Sequence, residues 1–456
     1  MTLQLKTISK VRFEALAGYC RLPETRLHSE EVGWFEAEDE AVLVAVVRDF
    51  EDGDFAAILL ARDLKERYRF VRIGKFLRSY DKVVANVPTL VSEVMSDLDT
   101  ERVQGDEKGK PVDFFTPVVP IEKLHPDFEK LTTREEYSPA LELIKPMMRW
   151  YDHTDKNFIE QFQTTGFDAR LWELYLFAML VESGYALEKD SNIPDFSARC
   201  PFAQICVEAT SVNPSVDGRG RPLPPPPVQT PEQLRAFQKH YMPIRFAGPL
   251  TTKLSKKYWE RQNVQGKPLL FAIQDFHAPA SMTLSRSALP IYLYGIDWDA
   301  HHDAVGNLVI VPKKVESHKW GTKEPVPSGF FNHPGAENVS AVITNASATV
   351  SKFTRMGVLA GFGSKRVRLI RRGMAANPAP NSAAPLYFVH DVNSPDYSET
   401  WIEGLDVYHN PNAKLPLDPT LLPGAAHHTL RDDGQLQTLA PDWHPFSSTT
   451  HIVVPR

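Results

Sequence analysis

The chain has 456 residues, of which 42% are hydrophobic and 24% charged, and its formal net charge is −6. At about 100–200 residues per domain, this is the composition of a globular protein with two to four domains. The acidic balance excludes a protein that coats nucleic acid over its whole surface, three cysteines are too few for a disulfide framework, and no apolar run predicts a membrane span.

The first region, residues 1–130, begins without an apolar segment and cleavage site, so we expect an unprocessed cytoplasmic protein. Three runs rich in β-branched and aliphatic residues, 41–50, 54–63 and 68–76, are separated by charged turns and predict successive strands. Apolar residues then recur at helical spacing over 83–99. The region therefore predicts a small, strand-rich α+β domain.

The second region, residues 131–300, contains the strongest helix signal of the chain. Residues 167–183 are apolar on nearly every side, which is typical of a buried helix. We expect Asp168 to cap its N-terminus and Gly184 to end it. A further helix is predicted at 135–152.

Short extended segments follow that helix, and the clearest of them is the run 202–212. Its alternation predicts a strand with Cys206, Glu208 and Thr210 on one face. The remaining elements of the region are predicted as short strands at 185–190 and 194–198, helices at 231–240 and 249–262, and a buried strand at 268–275.

The third region, residues 301–456, predicts strands at 306–312 and 338–345. After residue 374 the chain is rich in Pro, Asn, His and Gly, and no regular element is predicted there. We therefore expect a C-terminal region of strands and irregular segments.

The order of elements in the second region resembles the PD-(D/E)XK nuclease superfamily, to which many restriction enzymes belong. The resemblance covers roughly residues 165–280. It implies a restriction-endonuclease-like αβββαβ core, in which a mixed central sheet carries a helix on each side. Asp195, in Pro-Asp-Phe, and Glu208, in Val-Glu-Ala-Thr, match the two acids of the family motif, and Glu173 matches a glutamate that many members carry on the first helix.

The resemblance implies a Mg²⁺ or Mn²⁺ site, because hard divalent cations prefer oxygen ligands. Asp195, Glu208 and the carbonyl of Ala209 would bind one ion, and Glu173 would bind a second ion or orient a water. The implied function is metal-dependent hydrolysis of phosphodiester bonds, of DNA rather than RNA, in a bacterial restriction or defence context. A homodimer or a partner subunit is compatible with that function, and no membrane is implied.

Thr210 departs from the family pattern, which has lysine at this position. The missing cation is expected from the next helix, where Lys253 and Lys257 share one face at i, i+4. One alternative is a catalytically silent nuclease fold that acts as a nucleic-acid-binding or scaffold subunit. Another is an unrelated α/β protein, which a sheet order different from αβββαβ would establish.

Glu173 lies in the most apolar helix of the chain, where a buried carboxylate is costly without a partner or a metal. A metal site is one explanation. The alternatives are a side chain that reaches solvent through a gap and an ion pair with an arginine such as Arg170.

A basic run over residues 364–373 is the main candidate for a nucleic-acid contact outside the core. Its cations can neutralise phosphates, and the alternative is a solvated strand or helix face. The candidate residues are Lys365, Arg366, Arg368, Arg371 and Arg372.

Asp275 and His277 follow the strand predicted at 268–275. They could line the same cleft as the carboxylates, or they could be ordinary polar residues at a strand end.

Overall fold

The computed structural model describes residues 5–151, 157–188, 193–219, 221–322 and 324–455, and they form a mixed α/β protein. The helices are α1 (Lys10–Ala17), α2 (Tyr80–Ser96), α3 (Leu98–Glu101), α4 (Pro126–Thr133), α5 (Ser138–Trp150), α6 (Phe158–Gln163), α7 (Phe167–Glu182), α8 (Pro231–Ala236), α9 (Met242–Ser255), α10 (Met282–Ser285), α11 (Ala288–Tyr294) and α12 (Val350–Leu359). The first strands are β1 (Leu5–Thr7), β2 (Ser29–Ala37), β3 (Val42–Asp49), β4 (Phe55–Arg62), β5 (Tyr68–Ile73), β6 (Ala186–Glu188), β7 (Phe196–Arg199), β8 (Gln204–Val212), β9 (Ser215–Val216), β10 (Pro222–Leu223) and β11 (Leu269–Asp275). The later strands are β12 (Ile296–His302), β13 (Leu308–Lys314), β14 (Ser317–His318), β15 (Val326–Pro327), β16 (Ala341–Asn345), β17 (Arg368–Ala375), β18 (Leu386–Asp391), β19 (Leu405–His409), β20 (Ala426–Leu430), β21 (Leu436–Leu439) and β22 (Pro445–Val453).

Strands β1 to β5 form an antiparallel sheet in chain order, as the strand pattern of the N-terminal region predicts. Helix α2 packs against this sheet with four valines at helical spacing, Val83, Val87, Val91 and Val94, all buried. The helix begins earlier than predicted because the Ser79 side chain accepts a hydrogen bond from the Lys82 amide and caps it.

The central sheet has eight strands in the order β21-β20-β19-β16-β11-β8-β7-β6. It is mixed, because β6, β7 and β8 pair antiparallel whereas β8, β11 and β16 run parallel. Strand β19 pairs antiparallel with β16 and parallel with β20, and β21 closes that edge. A mixed central sheet is part of what the resemblance implies, and the structure has one.

The central sheet contains strands from both sides of the domain boundary predicted at residue 300. Strands β16, β19, β20 and β21 come from beyond that boundary and complete the sheet that begins at β6. The C-terminal region is also more regular than predicted after residue 374, since β17, β18 and β22 form a further three-stranded sheet. One hydrophobic core runs from Ile8 to Ala425 through all three regions.

Helix α7 is buried on nearly every side, and the Trp172 indole nitrogen donates a hydrogen bond to the Ala272 carbonyl on β11, 3.2 Å away. The predicted stop at Gly184 is confirmed by its positive φ of 91°. The predicted cap is wrong: the N-cap is Gly166, and Asp168 lies in the first turn without a capping hydrogen bond.

The helices predicted at 231–240 and 249–262 are one continuous helical segment in the structure. Helix α8 passes through a π-helical turn, Phe237–Tyr241, directly into α9. Helix α9 ends at Ser255, and Lys257 adopts a left-handed conformation with φ 49°. The helical segment therefore ends well before the predicted residue 262, and Lys257 lies outside it.

Among the described residues, no helix combines the length and the apolar character that crossing a bilayer requires.

Candidate active site

Asp195 and Glu208 lie side by side, as the register of β7 and β8 requires. Because Phe196 pairs with Val207, Asp195 stands opposite Glu208 just before β7 begins. The Asp195 amide donates a hydrogen bond to Glu208 Oε2 at 3.2 Å, and the Ala209 amide donates one to Asp195 Oδ2 at 2.7 Å. These two exchanged hydrogen bonds hold the pair of carboxylates against the strand backbones.

The other oxygen of Glu208 is held by two side chains from the region of α9. Lys253 Nζ forms an ion pair with Glu208 Oε1, and the Tyr258 hydroxyl donates to the same oxygen at 2.6 Å. Glu208 is only 4% exposed, and burial together with the Glu208 charge raises the pKa of Tyr258. Glu208 is therefore a buried acceptor, and both of its carboxylate oxygens have hydrogen-bond partners.

Glu173 forms an ion pair with Arg170, which is one of the alternatives to a metal site that the sequence leaves open. Arg170 Nη1 donates to both carboxylate oxygens at 2.9 and 3.0 Å, and the Tyr151 hydroxyl donates to Oε2 at 3.1 Å. Arg170 is held in turn by Gln161 on α6. The burial of Glu173 is thus compensated within the protein, and the side chain does not reach solvent through a gap.

Asp195 is the carboxylate whose charge is least compensated. Burial raises the pKa of Asp195 well above its usual value, and the neighbouring charges of Glu173 and Glu208 raise it further, against the opposing effect of Lys253. Burial also raises the pKa of Glu173, against the lowering effect of Arg170. The three carboxylates and Lys253 therefore act on one another electrostatically, and the cluster favours a further positive charge.

The donor set of Asp195 and Glu208 suits a hard cation, because every ligand atom that it offers is oxygen. The three predicted carboxylates do not all lie within 4.8 Å of one another. Arg170 contacts both carboxylate oxygens of Glu173, whereas Lys253 contacts only Oε1 of Glu208. A single ion therefore fits the Asp195 and Glu208 pair better than it fits all three carboxylates.

Another carboxylate group is compact enough for a metal ion in the described part of the chain, namely Asp63, Asp106 and Glu107. Its members already have partners. Asp63 accepts hydrogen bonds from the Arg67 side chain and from two backbone amides, and Glu107 accepts two backbone amides in its own loop. We therefore interpret this group as a structural cluster that holds the loop after α3 against β5.

Of the two predicted lysines, the structure brings one to the carboxylates. Lys253 contacts Glu208, whereas Lys257 is 61% exposed and pairs with Glu260 at 3.4 Å. The predicted shared face is wrong because α9 ends at Ser255, so the i, i+4 relationship does not extend to residue 257. Thr210 is half-buried on β8 opposite Ile273 and supplies no charge.

Of the basic residues predicted to contact nucleic acid, four lie on the surface and one lies in the core. Lys365, Arg366, Arg368 and Arg372 are exposed. Arg371 is 1% exposed and pairs with Glu403 at 2.6 Å and with Glu399 at 3.5 Å. The prediction for Arg371 is wrong, because it lies on the inward face of β17 and completes a buried ionic cluster with Lys352 and Arg355.

Asp275 and His277 form a buried pair, with Asp275 Oδ1 2.7 Å from His277 Nδ1. They do not join the carboxylates. Phe271 is the partner of Glu208 and Asp275 is the partner of Val212, so the pair lies four residues along the strand, about 13 Å away.

Tyr151, Tyr258 and Gln161 belong to the site and were not predicted from the sequence. Tyr151 and Gln161 lie upstream of α7, and Tyr258 follows α9. No local spacing marks them, because they reach the carboxylates only through the packing of three helices on one sheet. Arg170 is the arginine partner of Glu173 that the sequence leaves open as an alternative to a metal, and the two residues are three positions apart on α7.

Comparison of this chain with protein-family models, with curated proteins and with solved structures finds no match.

Proposed function

We propose that this protein hydrolyses phosphodiester bonds in nucleic acid, DNA rather than RNA, in a metal-dependent reaction at Asp195 and Glu208. The proposal is supported by the order α7, β6, β7, β8, α9, β11, with two antiparallel pairings followed by a parallel one. This order is compatible with the αβββαβ core that the resemblance to the PD-(D/E)XK superfamily implies, with Asp195 directly before the second strand and Glu208 on the third.

The observation that carries the proposal is the ion pair of Lys253 with Glu208. This chemistry requires a cation near the scissile phosphate. Because residue 210 is threonine, β8 does not supply it. Lys253 brings an ammonium group to the same carboxylate from α9, and its stem is long enough to shift toward a phosphate oxygen. A lysine supplied by the helix thus replaces a lysine supplied by the strand.

Asp195, Glu208 and the Ala209 carbonyl would hold the metal ion. When bound, a Mg²⁺ or Mn²⁺ ion would polarise the phosphate and lower the pKa of a coordinated water. Within the chain, Tyr258 positions Glu208, Lys253 stabilises negative charge on the phosphate, and Glu173 with Arg170 orients a water on the α7 side. The exposed members of the basic run, Lys365, Arg366, Arg368 and Arg372, would contact phosphates farther along the substrate.

A second candidate function rests on a different feature of the same site. Arg170 neutralises Glu173 and Lys253 neutralises Glu208, so two of the three carboxylates have a cationic partner within the protein. A nuclease fold stabilised in this way without metal would act as a nucleic-acid-binding or scaffold subunit.

Incubation with supercoiled plasmid, with single-stranded DNA and with RNA, each with Mg²⁺ or Mn²⁺ and with EDTA, separates the two functions. The wild-type protein is expected to cleave DNA only with metal, and Asp195→Asn is expected to lose at least about 100-fold in rate, as for other groups that act on the transition-state charge. Asp168→Asn, which lies in the first turn of α7 away from the carboxylates, is the matched control.

Cleavage that Asp195→Asn leaves unchanged would refute the assignment of this site. DNA binding without cleavage, equal in the wild-type protein and in Asp195→Asn, would establish the second candidate function.

A further inference from the structure

A cavity lies between α11, β12 and the strands β19 to β21. It is on the same face of the central sheet as Glu208, because the pairings of β8, β11, β16 and β19 bring Glu208 and Tyr408 into register. Its volume is about 400 Å³, within the range of small-molecule sites. Its walls combine cationic, aromatic and apolar side chains from segments far apart in the chain. The residues that matter to the argument are Lys239, Arg286, Trp298, Tyr408, His428 and Thr438.

Arg286 is held rigidly at the floor of this cavity. Its Nε and Nη2 atoms donate to the fully buried Asp406 at 2.5 and 2.6 Å, and the guanidinium lies 4.7 Å from the centre of the Phe446 ring. No described residue accepts a hydrogen bond from the third nitrogen, Nη1. A guanidinium that is anchored on one edge and free on the other is preorganised to bind an anion.

Asp406 can hold Arg286 in this way because it remains ionised. Besides Arg286, the ring nitrogens His428 Nε2 and His444 Nε2 lie 3.0 Å from its Oδ1 atom. These partners outweigh its burial and keep the pKa of Asp406 well below its usual value. Burial lowers the pKa of His428 and favours the neutral ring. A neutral ring that donates through Nε2 to Asp406 accepts through Nδ1 from the Thr438 hydroxyl at 2.8 Å, which fixes its orientation.

Tyr408 supplies a second donor without a partner in the described part of the protein. Its ring stacks on His428 with centroids 4.6 Å apart, and the residue is only 2% exposed. Its hydroxyl lacks a hydrogen-bond partner among the described residues, although it lines the cavity and interacts electrostatically with Arg286. A hydroxyl and a guanidinium edge that line the same cavity without an acceptor among the described residues can both donate to a ligand.

The remaining walls favour a flat ring. Trp298 is held by the hydrogen bond from its indole nitrogen to the Gly434 carbonyl at 2.9 Å, and Pro290, Ile291 and Leu436 complete an apolar wall. Lys239, paired with Asp297, adds a cation to the lining. An anion subsite and a ring subsite therefore share one cavity.

We propose that this cavity binds a small phosphorylated molecule with a planar ring, of the size of a nucleoside monophosphate. Its phosphate accepts hydrogen bonds from Arg286 Nη1 and the Tyr408 hydroxyl with Lys239 nearby, and its ring packs against Trp298. The site is independent of the proposed hydrolysis, since it uses none of the same residues.

Calorimetric titration of the full chain with AMP, GMP, CMP and UMP, and with inorganic phosphate, tests this site. We expect at least one mononucleotide to bind more tightly than phosphate. Tyr408→Phe removes one hydroxyl from the anion subsite and should weaken binding about tenfold, as loss of a hydrogen bond to a charged group does. Tyr387→Phe, at a tyrosine that is 80% exposed, is the matched control and should bind as the wild-type protein does.

Trp298→Leu tests the other end of the cavity. It should weaken mononucleotide binding and leave phosphate binding unchanged, and a thermal melt of each variant establishes that it is folded. Absence of binding by every mononucleotide at millimolar concentration, or wild-type affinity in the folded Tyr408→Phe variant, would overturn the proposal.

Discussion

The ammonium group of Lys253 on α9 contacts the carboxylate of Glu208 on β8, although 45 positions separate the two residues in the chain. The contact exists because α9 packs across the strand that carries Glu208, with Tyr258 from the following turn at the same carboxylate oxygen. A cation that is absent from position 210 on the strand is thereby present beside the carboxylates.

Lys253→Met should reduce DNA cleavage about 100-fold or more, because the positive charge of Lys253 would no longer stabilise the phosphate in a buried site. Lys257→Met should retain the wild-type rate, since Lys257 is exposed and pairs with Glu260. Single-turnover cleavage of a labelled duplex, with DNA binding measured in parallel, compares the two. Equal rates in the two variants would remove Lys253 from the proposed chemistry.

Asp195→Asn should stabilise the folded protein above acidic pH, in the absence of metal. The folded pKa of Asp195 is raised above the usual value of 3.8 by burial and by the charges of Glu173 and Glu208. The stability that comes from its proton is complete below the unfolded pKa and is lost as pH rises through the folded pKa. The difference in Tm between Asp195→Asn and the wild-type protein should therefore increase from about pH 4 upward.

The same melts with added Mg²⁺ provide the complementary measurement. A bound cation would stabilise the wild-type carboxylates, so Mg²⁺ should raise the Tm of the wild-type protein more than that of Asp195→Asn. A pH-independent difference in Tm would contradict the burial of charge at Asp195.

Arg371→Met should destabilise the fold by about 3–5 kcal/mol, because it leaves Glu399 and Glu403 in the core without one of their cations. The neighbouring Arg372 is exposed, and Arg372→Met should change stability by no more than about 0.5 kcal/mol. Urea unfolding of the two variants checks this pair. Similar midpoints would mean that the buried ionic cluster contributes little.

Gly357→Ala should destabilise the protein by about 1–3 kcal/mol, the usual cost of overpacking a core. A Cβ atom at Gly357 on α12 would lie 2.2 Å from the Pro139 carbonyl oxygen on α5, so the two helices would have to separate. Gly218→Ala is the control, since a Cβ atom there meets open space. Thermal melts should show a lower Tm for Gly357→Ala and an almost unchanged Tm for the control.

Much of the secondary structure follows from sequence periodicity alone. Strands β3 and β4 and helix α7 have strong, uninterrupted patterns, and the structure has them close to the predicted bounds. Periodicity does not predict the π-helical turn Phe237–Tyr241, because a turn with one extra residue shifts the faces of α8 and α9 relative to each other. Strands β18 to β21 lack a comparable pattern, because each is short and lies in a stretch rich in Pro, Asn, His and Gly.

The residues of the candidate site also differ in whether a local sequence pattern predicts them. Asp195 and Glu208 are adjacent because neighbouring strands pair residue by residue, and strand spacing in the sequence predicts such a relationship. Tyr258 and Tyr151 depend on how helices pack, which no local pattern encodes. Arg371 could not be assigned to the core from a basic run, because its partners Glu399 and Glu403 follow about 30 residues later in the chain.

The order of strands in the central sheet also bears on how the protein folds during synthesis. Strand β11, all of whose residues are buried, lies between β8 and β16, and 65 residues from Phe276 to Ser340 separate it from β16. At about 5–20 residues per second, a ribosome needs about 3–13 s to deliver β16 after β11. For that interval β11 is an apolar sheet edge without its neighbour, which leaves it open to pairing with extended segments of other chains.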